Sequence, residues 1–132
     1  MTATARSALW QDTVTLTIRD LVRYAGASGD FNPIHYEDAF ARSIGLPGII
    51  AHGMFSMGIV ARLVRQHASG AVRFDRISTR FAGVLLPDHE ITITCYAGDD
   101  DPGPRSSSYR IDARHTGAAN PSVICQVTVT PE

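Results

Sequence analysis

Two titratable residues, Asp30 and His35, stand five positions apart with Asn32-Pro33 between them. Pro33 lacks an amide donor and pushes Asn32 out of the α region, so residues 30–37 cannot form regular helix. The two side chains can therefore converge across a turn. A carboxylate beside an imidazole is what general acid–base chemistry needs, one group accepting a proton while the other donates near neutral pH. For Asp30 to act as an acid it needs a raised pKa or a shared water. The same spacing also fits a turn in which Asp30 caps and His35 merely packs, because Asp and Asn favour turns for local reasons. Spacing alone leaves both readings open.

The elements around this turn are legible from pattern. Thr13 to Thr17 alternates and reads as a short strand. Thr17-Ile18-Arg19-Asp20 has capping-box spacing, with Asp in the acidic position. It opens a helix from about Ile18 to Ala27, with Leu21, Val22 and Ala25 inward and Gly29 ending it. Glu37 to Ser43 fits one or two further helical turns, broken by Gly45-Leu46-Pro47-Gly48. The main helix runs from His52 to about Gln66. Met54, Phe55, Met57, Ile59, Val60, Ala61, Leu63 and Val64 leave it almost no polar stripe before Arg62 and Arg65. A helix apolar all round is expected to be buried all round, with a sheet curled about it. Gly58 costs roughly 1 kcal/mol mid-helix relative to Ala, so close packing is expected there.

After Gly70 the period changes to two. Val72 to Val84 reads as a long, bulged strand, and Ile91–Ala97, Tyr109–Arg114 and Val123–Val129 as three more. The short connections imply antiparallel pairing. The expected architecture is α+β: one strand, a long buried helix, then four antiparallel strands, as a single domain over residues 1–132.

Composition narrows the function classes. The 132 residues hold 44% hydrophobic and 19% charged residues, an ordinary globular balance. A formal net charge of −1 gives no electrostatic footprint for nucleic acid or an anionic membrane. All twelve basic residues are arginine, which excludes a lysine Schiff base. No stretch reads as a signal peptide or a bilayer span. Cys95 and Cys125 fall in separate strands without metal-type spacing, which reads as reduced, buried thiols in a cytoplasmic protein. His67, His89 and His115 are scattered and read as solvated. Asp30, His35 and His52 could form a two-histidine, one-carboxylate metal site. An acid–base pair explains the same groups without a metal, so neither metal nor cofactor is expected.

Gly29-Asp30-Phe31-Asn32-Pro33-Ile34-His35, followed by Ile50-Ala51-His52-Gly53-Met54, resembles the hydratase motif of the MaoC-like (R)-specific enoyl-thioester hydratases and (3R)-hydroxyacyl-thioester dehydratases. Residues 20–26 and Met57-Gly58 are especially similar to the catalytic β-subunit type of mycobacterial hydroxyacyl carrier-protein dehydratase. The resemblance is close over roughly residues 13–60. It implies a hot-dog fold, an antiparallel sheet wrapped around one long helix. The implied activity is reversible syn addition or removal of water across the 2,3 bond of an acyl thioester of coenzyme A or acyl carrier protein, in fatty acid or polyketide metabolism. The implied catalytic set is Asp30 and His35 as the acid–base pair and the Gly53 amide as donor to the thioester oxygen. Developing enolate charge is well met by a helix N-terminus, with its free amides and partial positive charge. Asn32 and His52 match positions lining the substrate site, Asn32 also holding the turn and His52 the start of the helix. Some relatives carry a serine at the position aligned with Ala61, and Ser56 lies earlier than that. The resemblance also implies a homodimer, or a heterodimer with another hot-dog chain. A hot-dog thioesterase, and a subunit active only with its partner, are the alternatives.

Overall fold

The computed structural model describes residues 6–132. Its order is β1 (Trp10–Thr15), α1 (Ile18–Ser28), a 3₁₀ turn (Pro33–His35), α2 (Asp38–Ser43), α3 (Gly53–His67), β2 (Val72–Phe81), β3 (Glu90–Ala97), β4 (Ser107–His115) and β5 (Val123–Pro131). The five strands form one sheet in the order β1-β3-β4-β5-β2, with every neighbouring pair antiparallel. This is the α+β architecture expected from the pattern.

The alternation that predicts the strands also builds the core. Ile91, Ile93 and Cys95 of β3, Ile111 and Ala113 of β4, and Val123, Cys125, Val127 and Val129 of β5 are all buried. Ile59, Val60, Leu63 and Val64 of α3 join the same cluster, so the helix lies along one face of the sheet. Burial pushes the Cys95 thiol up to about 12 and raises Cys125 as well, which leaves both as inert packing groups.

Several expectations are corrected. The first strand begins at Trp10 and stops at Thr15, because Thr17 is taken as the N-cap of α1. Val22 is 51% exposed, whereas Leu21 and Ala25 are buried; the inward stripe of this short helix is narrower than its apolar residues suggest. The bulge in β2 is present between Phe74 and Arg76, but the strand ends at Phe81 rather than Val84. Strand β2 pairs with β5 at the sheet edge and not with its successor β3, so residues 82–89 cross over instead of making a hairpin. The crossover is tied down where the Ala82 and Gly83 amides donate to the Ser122 carbonyl and the Ala51 amide to the Leu85 carbonyl.

The largest difference concerns α3. It is not buried all round: Met54 is 63% exposed, Gly58 is exposed, and Phe55, Met57 and Ala61 are only half-buried. A Cβ at Gly58 would meet nothing within 4 Å, so no close approach within this chain calls for glycine there. The sheet covers one face of the helix, and an apolar strip on the other remains open. No helix among the described residues is long and apolar enough to cross a membrane.

Candidate active site

The turn that carries Asp30 and His35 is assembled from local hydrogen bonds. Helix α1 begins with a complete capping box: Thr17 Oγ1 accepts from the Asp20 amide at 3.1 Å, and Asp20 Oδ2 accepts from the Thr17 amide at 2.9 Å. These bonds, with a charge contribution from Arg23, hold the Asp20 carboxyl below its usual range. The helix ends at Gly29, whose φ of 76° is left-handed and whose amide bonds the Ala25 carbonyl. From there each polar side chain caps the next step. Ser28 Oγ accepts from the Asp30 amide, Asp30 Oδ1 from the Asn32 amide, and Asn32 Oδ1 from the Ile34 amide, at 3.1, 3.2 and 3.2 Å. Pro33 then opens the single 3₁₀ turn that delivers His35.

His35 is buried and oriented from behind. Its Nδ1 lies 2.7 Å from the Ile50 carbonyl, which can only accept, so Nδ1 carries the proton. Nε2 is left with its lone pair and faces Asp30 Oδ2 at 3.7 Å. That separation is too long for a direct hydrogen bond. One water oxygen fits within hydrogen-bond reach of both atoms. The side chains differ sharply in exposure, 7% for His35 and 52% for Asp30. One partner is thus fixed by the protein while the other meets solvent.

His52 lies beneath this pair. Its ring stacks on that of His35 at a centroid distance of 3.7 Å and 19° between planes, and Tyr24 packs on it edge-on at 4.7 Å. Nε2 donates to the Asp30 carbonyl at 3.2 Å, while Nδ1 is buried without a hydrogen-bond partner. Burial pushes the imidazole below its ordinary value, outweighing the upward pull of the Asp30 carbonyl. A neutral, 1% exposed ring here braces the turn. Ligand atoms of Asp30, His35 and His52 all lie within 4.8 Å of one another. Near-parallel stacking nevertheless directs the two imidazole lone pairs along separate planes, and a single ion needs them to converge.

The cavity beside His35 has a volume of about 280 Å³. His35, Gly53, Ser56, Phe81 and Leu85 are among its walls. Gly53 is the first residue of α3, and His52, its N-cap, offers no side-chain cap bond. The first amides of a helix have no intrahelical acceptor, so the Gly53 N–H is available where the cavity meets the helix dipole. Among the residues singled out from sequence, His35 and Gly53 therefore line one cavity and Asp30 adjoins His35. Asn32 does not line the cavity, and its side-chain oxygen serves the turn. His52 is packed behind the His35 ring.

Sequence reasoning gave Ser56 little weight, yet Ser56 is buried in the cavity wall and donates to the His52 carbonyl at 3.3 Å. Its spacing of three from Gly53 puts it on the same helix face, a signal that was present. Ala61 instead lines an outward cleft with Gly58, Arg62, Arg65 and Phe74. The contributions of the Ile50 carbonyl and Phe81 had no sequence signal. Two of the three scattered histidines are also engaged. His67 stacks on Trp10 at 4.3 Å and bonds Asp12 at 2.6 Å, and His115 Nε2 accepts from the Leu86 amide at 3.0 Å.

A sheet wrapped on one long helix, with a histidine turn set against that helix's N-terminus, defines a hot-dog fold with its site at the start of the helix. The chain belongs to the MaoC like domain family, whose sequence pattern matches residues 2–119. It is 39% identical over 89 residues to 3-hydroxyacyl-thioester dehydratase X of Mycobacterium tuberculosis, a match covering 67% of this chain and 30% of that protein. The chain thus matches under a third of that relative's length. An (R)-hydratase from A. caviae involved in PHA biosynthesis superposes with a TM-score of 0.84 at 18% identity, over 99% of this chain and 98% of that one. The ChsH1-ChsH2 complex from Mycobacterium tuberculosis superposes with a TM-score of 0.83 at 18% identity, over the whole of both chains.

Proposed function

We propose that this chain catalyses the reversible syn hydration of 2-enoyl thioesters to (3R)-hydroxyacyl thioesters, with Asp30 and His35 as the acid–base pair. The observation that carries the reading is the tautomer of His35. With Nδ1–H committed to the Ile50 carbonyl, Nε2 is held as a base facing Asp30 across a gap that one water fits. In hydration, this water is oriented by both groups and attacks C3 as the pair removes its proton. A proton then passes from the pair to C2 on the same face. Dehydration is the reverse. The thioester oxygen, which gathers charge as the enolate forms, is received by the Gly53 amide, and such a donor is typically worth about 3–4 kcal/mol. Ser56, in the same cavity wall, is a polar neighbour to the substrate. Asn32 and His52 act through the turn: Asn32 fixes its shape, and His52 holds the Asp30 backbone.

The acyl group is carried on coenzyme A or a carrier protein. Purified protein given crotonyl-CoA should lose enone absorbance reversibly. If Asp30→Asn and His35→Ala each leave that rate unchanged, the assignment is wrong. Release of free thiol without a 3-hydroxy product would instead support the thioesterase alternative.

Assembly as a dimer follows from the open strip on α3 and the free edge of β2. The likeness to the ChsH1-ChsH2 complex supports a heterodimer as a second reading, with this chain as the half that carries the acid–base pair. Activity appearing only on addition of a second hot-dog chain would favour it over the homodimer.

A further inference from the structure

Glycine at position 53 has no conformational cause. The left-handed glycines here are 29, 45, 48, 103 and 117, and Gly53 is not among them. Its cause is steric. A Cβ on Gly53 would lie 2.9 Å from Phe81 Cζ and 3.0 Å from Cε1, so the tip of the Phe81 ring occupies the space a side chain would need. Phe81 is the last residue of β2 and is 50% exposed, a setting in which aromatic residues are ordinarily replaceable. This one stands in the wall of the same cavity as His35 and Gly53. Its backbone is firmly placed, since Phe81 pairs with Val123 and the next two amides both bond the Ser122 carbonyl.

We propose that Phe81 is a positioning residue for the thioester. Its ring, backed by the sheet and resting on the Gly53 α-carbon, leaves the His35 side of the cavity as the approach to the Gly53 amide. A carbonyl that reaches this amide then has its C2–C3 bond directed toward the acid–base pair. The ring also keeps bulk water from the amide, where it would compete for the hydrogen bond. Gly53 and Phe81 form one unit: the glycine is needed because the ring is there, and the ring is useful because the amide is. This inference rests on the hydratase reading and adds to it a determinant on the opposite wall.

The test is a double-mutant cycle on hydration of crotonyl-CoA, in whichever assembly is active, with circular dichroism confirming the fold of each variant. Gly53→Ala keeps the amide but displaces the ring tip. It should lower kcat and kcat/KM together by about tenfold or more, as expected for an interaction made in the transition state and sensitive to displacements near 1 Å. In a Phe81→Ala background, where the ring is gone, the same Gly53→Ala change should cost less than about twofold, the mark of two residues acting as a unit. Phe81→Ala alone should lower kcat, and Phe81→Leu should restore most of it. Phe81→Leu also supplies the second background if Phe81→Ala melts early. An equal cost of Gly53→Ala in both backgrounds, or full activity of Phe81→Ala, would overturn the proposal while leaving the hydratase reading intact. A wild-type protein without hydratase activity would remove the reading itself and the role of Phe81 with it.

Discussion

Replacing Asp30 by Asn separates chemistry from architecture in this site. The carboxylate makes one structural hydrogen bond, accepting the Asn32 amide at Oδ1. An asparagine keeps an oxygen acceptor in the same place, so the turn should survive. The lost ion pair with His35 spans 3.7 Å, and the Asp30 side chain is 52% exposed. Pairs this open contribute little, and the stability change should stay within about 0.5 kcal/mol. At about 2.1 cal/mol/K of unfolding entropy per residue, a chain of 132 residues shifts its Tm by about 2 °C for that change. Activity should respond quite differently. Loss of one member of an acid–base pair removes about 10²–10⁴ in rate, or roughly 3–5 kcal/mol of transition-state stabilisation. The assay is enone absorbance with crotonyl-CoA beside a thermal melt of the same preparation. A variant that keeps more than a tenth of the wild-type kcat, or whose rate loss is matched by a large fall in Tm, would refute the reasoning.

Three further outcomes follow from other parts of the molecule. Burial lowers His52 and His115 below the ordinary histidine value of 6.5, with His89 adding to the effect on His115. The unfolded chain therefore binds protons that the folded chain refuses as pH falls below about 6.5, and stability should decline through that window by up to about 1.4 kcal/mol per pH unit for each group. Melts from pH 7.5 to 5.5 should show this decline, and His115→Asn should reduce its slope. Thr17→Ala removes one half of the capping box that starts α1 and should cost about 1 kcal/mol in chemical denaturation, with the residual rate nearly unchanged. Light scattering at micromolar concentration should give about twice the chain mass of 14.3 kDa, and a monomeric mass would count against pairing across the open strip on α3.

Periodicity carried much of this structure. Alternation located all four later strands to within a few residues, since the buried face of the sheet is apolar at nearly every second position from Ile91 onward. The capping box and Gly29 were legible because they answer local needs of the backbone. Tertiary choices were not. Nothing local tells β2 to pair with β5, because both flanks of a strand offer the same hydrogen bonds. The apolar circumference of α3 suggested burial within one chain, yet apolarity does not specify which molecule covers it. At the site, the types and spacing of Asp30 and His35 were visible, while the features that give them direction were not. The Ile50 carbonyl that sets the tautomer acts through backbone. Phe81 lies 28 positions from Gly53, beyond the reach of any helical or strand period.

The central claim is that one Asp/His pair handles water and proton on a single face of the substrate. Hydration of crotonyl-CoA in D2O, followed by NMR of the isolated 3-hydroxy product, tests it most directly. The account predicts a (3R) product with deuterium at C2 placed on the face that received the hydroxyl, a single syn diastereomer. A mixture of C2 epimers formed at the initial rate, or the anti diastereomer, would contradict it.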